Sequence, residues 1–191
     1  MRQHFFPVSM IEILLLALLC VSNVNAQEGS IEEAERLNAQ AVRFSGQGRY
    51  KDAITLTERA LAIREKALGP DHPYTAESLN TLASLYDATG SYVKSEALYK
   101  RALAIREKVL GPDYLDTAQS LNNLALHYYA TGAYAQAKLF YQRALEILEK
   151  VLGPDHPETA ISLNNLALLY TATGAYAQSE LLYQRALAIY E

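Results

Sequence analysis

The regular repetition of one sequence pattern, with a period of about 42 residues, is the feature that most constrains how this chain can fold. A Gly-Pro-Asp triplet begins at Gly69, Gly111 and Gly153, and a Leu-Asn pair recurs with the same step. Repeated units of this length are typical of arrays in which each unit packs only on its neighbours. The chain is therefore predicted to be a line of similar units rather than a domain with one central core.

Each unit is predicted to contain two amphipathic helices. In the third unit the first stripe has apolar residues at i, i+3, i+4 and i+7, namely Leu121, Leu124, Ala125 and Tyr128. The second stripe follows Gly132 and consists of Tyr134, Ala137, Tyr141, Ala144, Leu145 and Ile147. Gly153 and Pro154 then end the helix, and Asp155 is the expected N-cap of the next. One pair of helices cannot bury both stripes, so the pairs are predicted to stack into an all-α solenoid.

These residues resemble the tetratricopeptide repeat. That family has a large residue, a leucine, a small residue and an aromatic in the first helix, then a glycine and an aromatic, then a small–aromatic–small pattern. The fourth unit matches it with Leu163, Leu166, Ala167, Tyr170, Gly174, Tyr176, Ser179, Tyr183 and Ala186. The unit is longer than the family's usual length of about 34 residues, and its LGPDHP segment is similar to kinesin-light-chain-type repeats. The resemblance covers about residues 31–191 and implies about four stacked helix-turn-helix repeats.

The resemblance also places the boundaries between units. A lead of residues 27–33 precedes repeats at 34–75, 76–117, 118–159 and 160–191. In the first repeat, Gln40 and Thr57 stand where later repeats have leucine and tyrosine, and such polar substitutions suit the outward face of an N-terminal capping repeat. The fourth repeat stops at Glu191, whereas a full unit that begins at position 160 would reach position 201, so it is expected to be truncated.

Residues 1–26 have the pattern of a secretory signal peptide. Arg2 precedes nine apolar residues at 13–21, too few for a helix to span a bilayer, and Ala26 completes a small-residue cleavage site. Cleavage after Ala26 predicts an exported bacterial protein, periplasmic or extracellular. Two alternatives are a membrane-associated N-terminal helix and a lipoprotein acylated at Cys20; Leu19 argues against the second, because that signal has a small residue before the cysteine.

The residue types give no indication of catalysis, nucleic-acid binding or a bound metal. The formal net charge of −4 provides no basic footprint for nucleic acid, and no P-loop, GxGxxG, GxSxG or HExxH motif occurs. His72 and His156 are expected to shape loops. His127 has no carboxylate or serine at a telling spacing and is expected to be a packed or solvated helix residue. No catalytic residue, cofactor or metal site is therefore predicted.

A surface is the better functional candidate. In tetratricopeptide arrays the first helices line a concave groove, and the resemblance implies that it contains one asparagine per repeat. An amide can donate to and accept from the backbone of an extended peptide. The predicted peptide-binding residues are Asn38, Asn80, Asn122, Asn123, Leu126, Tyr129, Asn164, Asn165 and Leu168. An equally weighted alternative is that the repeated asparagine bonds to the next repeat and sets the stacking.

The charged residues expected to line the groove indicate what kind of partner it would bind. Glu35, Glu77 and Asp87 would make the first half of the groove acidic, while lysine and arginine are absent from these positions. The partner is therefore expected to have an apolar segment and a basic end, and a clamp for a C-terminal carboxylate is not expected.

Three functions are compatible with the sequence. The leading interpretation is a non-catalytic interaction scaffold that binds a protein or peptide partner in its groove. By resemblance, the alternative is the N-terminal repeat region of a larger enzyme, such as a caspase-like CHAT peptidase, whose catalytic domain is not in this chain. The third is self-association through the uncapped last repeat. Neither nucleic acid nor, after signal cleavage, a membrane is an expected partner.

Overall fold

Eight helices follow one another along the chain in a computed structural model that describes the backbone of residues 10–191 and the side chains of residues 27–191. They are α1 (Met10–Gly46), α2 (Tyr50–Leu68), α3 (Pro73–Ala88), α4 (Tyr92–Val109), α5 (Leu115–Ala130), α6 (Tyr134–Val151), α7 (Pro157–Ala172) and α8 (Tyr176–Tyr190). Residues 10–191 contain no strand, and the all-α prediction is confirmed.

The start of the predicted signal peptide, residues 1–9, lies outside the described residues, as does the side chain of Cys20. Cleavage after Ala26 stays a prediction. Among the residues that the structure describes, no helix is both long enough and apolar enough to cross a bilayer.

The helices pack as successive pairs. Each first helix packs on its second helix, as α3 does on α4, and each second helix packs on the first helix of the next pair. In addition, α3 contacts α5, and α5 contacts α7. The first helices therefore adjoin one another, and the array is a solenoid of helix-turn-helix repeats, as predicted.

The predicted apolar stripes form a line of small cores. Leu121 and Leu124 on α5 and Tyr141 on α6 are at most 1% exposed and belong to the largest cluster. Smaller clusters surround Leu79 and Leu163 in the flanking repeats. Fully buried alanines between them allow the helices to approach closely, which gives the tyrosine rings well-packed partners.

The turns between repeats confirm the predicted helix end but not the predicted helix start. Gly153 has φ of 97°, a conformation that side chains with a Cβ rarely adopt, and its N–H donates to the Glu149 carbonyl at 3.1 Å. The N-cap of α7 is His156 rather than Asp155, because Pro157 begins the helix and holds the residue before it in extended backbone. Nδ1 of His156 accepts the Glu158 N–H at 3.2 Å.

The two polar substitutions in the first repeat have different environments. Gln40 is exposed, as expected for a capping repeat. Thr57 is fully buried, and its hydroxyl donates to the Ala53 carbonyl at 2.9 Å. The interpretation of Thr57 as an outward-facing polar residue is wrong, because a hydroxyl that bonds to its own helix can be buried without losing a hydrogen bond.

Ion pairs between exposed or half-buried arginines and half-buried glutamates join successive repeats at a regular step. They link the second helices as Arg101–Glu65, Arg143–Glu107 and Arg185–Glu149, with N–O distances of 2.7, 2.6 and 2.6 Å. Ion pairs near the surface contribute about 1 kcal/mol or less each. The buried leucines and tyrosines, rather than these pairs, therefore account for most of the cohesion between repeats.

The burial of the apolar stripe predicts that leucine-to-alanine substitutions at two positions of α5 differ strongly in their effect on stability. Leu121→Ala, at a fully buried position, should lower the free energy of unfolding by about 2–5 kcal/mol, because the cavity it leaves cannot fully close. Leu126→Ala, at a position 54% exposed on the same helix, should change it by less than about 0.5 kcal/mol. Urea unfolding followed by circular dichroism measures both, and similar losses would contradict the assignment of the stripe.

Candidate functional site

A groove with a volume of about 550 Å³ lies along α1, α3 and α5. Its lining includes Val42 of α1, Glu77 and Asn80 of α3, and Gln119, Asn123 and Leu126 of α5, with Tyr99 and Arg106 contributed by α4. Because the first helices adjoin only when the repeats stack, the groove is a product of stacking and belongs to no single repeat.

The repeated asparagine makes a hydrogen bond between repeats. Each bond joins it to the serine 40 residues later on the next first helix: Asn38–Ser78 at 3.3 Å, Asn80–Ser120 at 3.0 Å and Asn122–Ser162 at 3.4 Å. These contacts support the stacking role. Asn80 is only 7% exposed, and pairing of these amides with a peptide backbone stays a prediction.

Two of the inter-repeat amides have oxygen atoms without a partner. Oδ1 of Asn38 and Oδ1 of Asn80 are buried and accept no hydrogen bond from the described residues. Asn164, in the fourth repeat, is half-buried and makes no inter-repeat bond with the part of the chain that the structure describes.

The other predicted site residues are more accessible. Asn123, Tyr129 and Asn165 are half-buried, while Leu126 and Leu168 are 54% and 48% exposed. Asn123 and Leu126 line the groove together, and Asn165 and Leu168 occupy the same positions one repeat later. An amide beside an exposed leucine therefore recurs on α5 and α7.

The three carboxylates expected to make the first half of the groove acidic have different environments. Oε2 of Glu77 lies 3.4 Å from Nη1 of Arg64, whose positive charge offsets it. Oδ1 of Asp87 lies 2.7 Å from Nδ1 of His127, and Glu35 is exposed on α1. The expectation of a partner with a basic end thus loses the contribution of Glu77.

An arginine on a second helix, Arg106, reaches the groove, which the sequence did not indicate. Arg64 and Arg106 are each 3% exposed, and their guanidinium groups extend to the next first helix. Nη1 of Arg106 donates to the Asp116 carbonyl at 2.6 Å, to Oε1 of Gln119 at 3.1 Å and to Oγ of Ser120 at 3.1 Å. The corresponding position in the third repeat is Leu148. A buried arginine is therefore present where the first repeat meets the second and where the second meets the third, but not where the third meets the fourth.

His127 is the centre of a buried polar cluster: it is a packed helix residue, as expected, and it contacts a carboxylate and a serine that its sequence spacing did not indicate. It is 3% exposed, and its Nδ1 lies 2.7 Å from Oδ1 of Asp87 and 3.4 Å from Oγ of Ser95. In a hydrolytic triad the carboxylate and the nucleophile contact different ring nitrogens, whereas here both contact Nδ1. The cluster therefore links α3, α4 and α5 without a catalytic arrangement.

A signal for these contacts exists in the repeat itself. The Asp87–His127 pair has the same spacing of 40 residues as the Asn–Ser bonds, and each of the two arginines bonds a serine 14 residues later. Once one contact of each spacing is known, the repeat period therefore indicates the others. Within residues 27–191, no group of three or more His, Cys, Asp or Glu side chains is arranged to hold a metal ion.

Helix α8, the last in the chain as given, has exposed apolar side chains. Leu181, Leu187 and Tyr190 are 66%, 59% and 56% exposed. Self-association through this repeat stays a prediction, which size-exclusion chromatography at several concentrations tests.

A family model for the tetratricopeptide repeat matches residues 42–108, 88–150 and 134–191. No match was found among curated proteins. Among solved structures, BtubC (BKLC) of P. vanneervenii is similar, with a TM-score of 0.73 and 25% identity, over 82% of this chain and 62% of that one. The chain thus spans less than two thirds of the length of BtubC.

Two further structures are similar. A kinesin-light-chain protein of P. anserina with nearly identical TPR-like repeats gives a TM-score of 0.67 and 28% identity, over 82% of this chain and 74% of that one. The apo form of RapI gives a TM-score of 0.71 at 19% identity, over 83% and 56% of the two chains, and indicates the fold alone.

The asparagine bonds predict a difference between repeats. Asn80→Ala removes the donor to Ser120 and should lower the free energy of unfolding by about 1 kcal/mol. Asn164→Ala removes no described inter-repeat bond and should cost less than about 0.5 kcal/mol. Chemical denaturation compares the two variants, and equal losses would argue against a stacking role for this position.

The histidine cluster predicts that a second substitution restores stability lost in a first. Leucine is the residue at the equivalent position of the neighbouring repeats, as Leu85 and Leu169. His127→Leu therefore suits the position, but it leaves the Asp87 carboxylate, 20% exposed, without its histidine partner. The cost should be about 1–3 kcal/mol, and adding Asp87→Ser should recover most of it. Thermal denaturation of the single and double variants tests the coupling, and purely additive effects would disprove it.

Proposed function

Because the chain belongs to the tetratricopeptide repeat family, whose repeats generally mediate protein–protein interactions, we propose that it is a non-catalytic scaffold that binds a peptide segment of a partner protein in the groove along α1, α3 and α5. The observation that carries this proposal is the groove of about 550 Å³, in which an exposed leucine, Leu126, lies beside the amide of Asn123.

The groove combines the two properties that peptide recognition requires. Val42 and Leu126 are 64% and 54% exposed, which provides apolar surface that a bound side chain would bury. The amide of Asn123 provides a donor and an acceptor for a peptide backbone. Leu168 on α7 extends the same apolar wall into the fourth repeat, so an extended segment would contact more than one repeat.

Export forms a second part of the proposal. The apolar run at residues 13–21 and the small-residue site ending at Ala26 support a scaffold that acts in the periplasm or outside the cell. Expression in a bacterium and intact-mass spectrometry of exported material should give a chain that begins at Gln27. An exported chain that still begins at Met1 would contradict this part of the proposal without affecting the first.

The groove is tested with a displayed library of random 12-residue peptides selected on the full chain. Leu126→Asp and Leu168→Asp place charges on the apolar wall and should weaken the selected peptides by at least about tenfold, because burying an unpaired carboxylate is unfavourable. Val93→Asp is the matched control, since Val93 lies on a second helix and is 85% exposed.

Circular dichroism verifies that the three variants remain folded. Peptides that bind Leu126→Asp, Leu168→Asp and the wild type equally well would show that the groove is not the binding surface.

A further inference from the structure

A crevice between two second helices, α6 and α8, is separate from the groove along the first helices. Side chains of α6 and α8 form its walls, and Tyr170 of α7 lies at its floor. Its two adjoining parts have volumes of about 370 and 300 Å³ and share Tyr170 and Gln178. None of its lining residues lines the groove along α1, α3 and α5, so a ligand in this crevice would leave that groove free.

The corresponding place between α4 and α6 is filled by the chain itself. Tyr128, one period before Tyr170, is 8% exposed and stacks on Phe140, with ring centroids 5.6 Å apart and planes inclined by 10°. The Tyr128 hydroxyl donates to Oε1 of Glu96 at 2.7 Å, and Nζ of Lys100 lies 2.7 Å from the same oxygen. The hydrogen bonds from Lys100 and Tyr128 hold the pKa of Glu96 below its usual value. The ring, the hydroxyl and both charges thus have partners within the chain.

Three substitutions open the same place one repeat later. Leu182 of α8 stands where Phe140 stands in α6, so the Tyr170 ring lacks the stacking partner that its counterpart has. Lys138 stands in place of the glutamate and Gln142 in place of the lysine. Nζ of Lys138 lies 5.3 Å from the centroid of the Tyr170 ring. The tyrosine is therefore half-buried, beside a cation but without a carboxylate for its hydroxyl.

The charged side chains along this crevice have the spacing of a helix face. They are Lys138 and Glu146, both exposed, and neither forms an ion pair within residues 27–191. They are eight positions apart on α6 with Gln142 midway, so the three follow one another along one face at about 6 Å per step. A helix laid along the crevice has the same repeat, and its residues i, i+4 and i+8 would meet the cation, the tyrosine ring and the carboxylate in turn.

We infer that the α6–α8 crevice binds an amphipathic helix of a partner protein that has an acidic residue, a phenylalanine and a basic residue at successive turns. The acidic residue takes the place that Glu96 has one repeat earlier: it pairs with Lys138 and accepts the hydrogen bond of the Tyr170 hydroxyl. The phenylalanine stacks on the tyrosine ring as Phe140 does on its counterpart, and the basic residue pairs with Glu146. The inference goes beyond the proposed function, because it gives the scaffold a second surface for a second partner.

The probe is a displayed library of alanine-rich peptides of about 16 residues, since shorter isolated helices are marginal in water. Three positions, each one turn from the next, are randomised. Selection on the full chain should give peptides with an acidic residue, a phenylalanine and a basic residue at these positions, in this or the reverse order, which corresponds to the two directions in which a helix can lie along α6.

Leu182→Phe tests the place of the phenylalanine. It recreates within the chain the stack that Phe140 makes on Tyr128 and should fold normally. Because the new ring occupies the place of the ligand's ring, the selected peptides should bind at least about tenfold more weakly. Leu139→Phe is the matched control: this leucine is at the same position one repeat before Leu181, is 67% exposed, and lies outside the crevice. It should change affinity by less than about twofold.

Exchange of the two charges tests their part in recognition. The double variant Lys138→Glu, Glu146→Lys keeps the net charge and should fold like the wild type, because Glu96 shows that the first position accepts a carboxylate. Selected peptides should bind it at least about fivefold more weakly at low ionic strength, since two attractions become two repulsions. The same peptides with their acidic and basic residues exchanged should regain the affinity of the original pairs.

The results that would overturn the inference are distinct from those that bear on the proposed function. Equal binding to Leu182→Phe and to the wild type, or indifference of the peptides to the exchange of charges, would overturn it and leave the groove proposal intact. Peptides that are lost on Leu126→Asp would belong to the groove, which would overturn this inference and support the proposed function. Selection of no peptide that depends on the crevice would overturn it as well, and circular dichroism of each variant establishes that it is folded.

Discussion

The packing of each helix on the helix that follows it is the interaction on which the rest of this structure depends. A single pair of helices here has apolar stripes on both members and cannot bury them alone. The fully buried Leu79, Leu121 and Leu163 lie at the same position in successive repeats, so each small core is completed by a neighbour. The groove, the asparagine bonds and the position of Arg106 all follow from that stacking and would be lost with it.

Polar groups refine the arrangement that apolar burial produces. The Asn80–Ser120 bond and the Asp87–His127 pair each join two first helices 40 residues apart in sequence. Buried polar contacts of this kind are satisfied in only one relative placement of the helices, so they select the offset between repeats more than they add to cohesion. This division of roles explains why the amide can be a stacking element while a neighbouring residue such as Asn123 is available to a partner.

Much of the fold could be predicted from the sequence because the determining signals are local and periodic. The stripe from Leu121 to Tyr128 and the turn at Gly153 depend on spacing and backbone preference alone. The partners of His127 and the reach of Arg106 could not be predicted in the same way, because they depend on which residues two separate helices bring together. The cap at His156 was missed for a local reason: Pro157 determines which residue stands immediately before the helix.

The loss of the buried arginine at Leu148 has a consequence for register. In a groove built from identical repeats every junction would present the same chemistry, and an extended segment could shift along it by one whole repeat. Here one junction has a cation beneath α5, whereas the next has Leu148 buried in its place, with Ile161 and Leu168 exposed nearby. The junctions are thereby chemically distinct, which would fix the register of a bound segment along the solenoid.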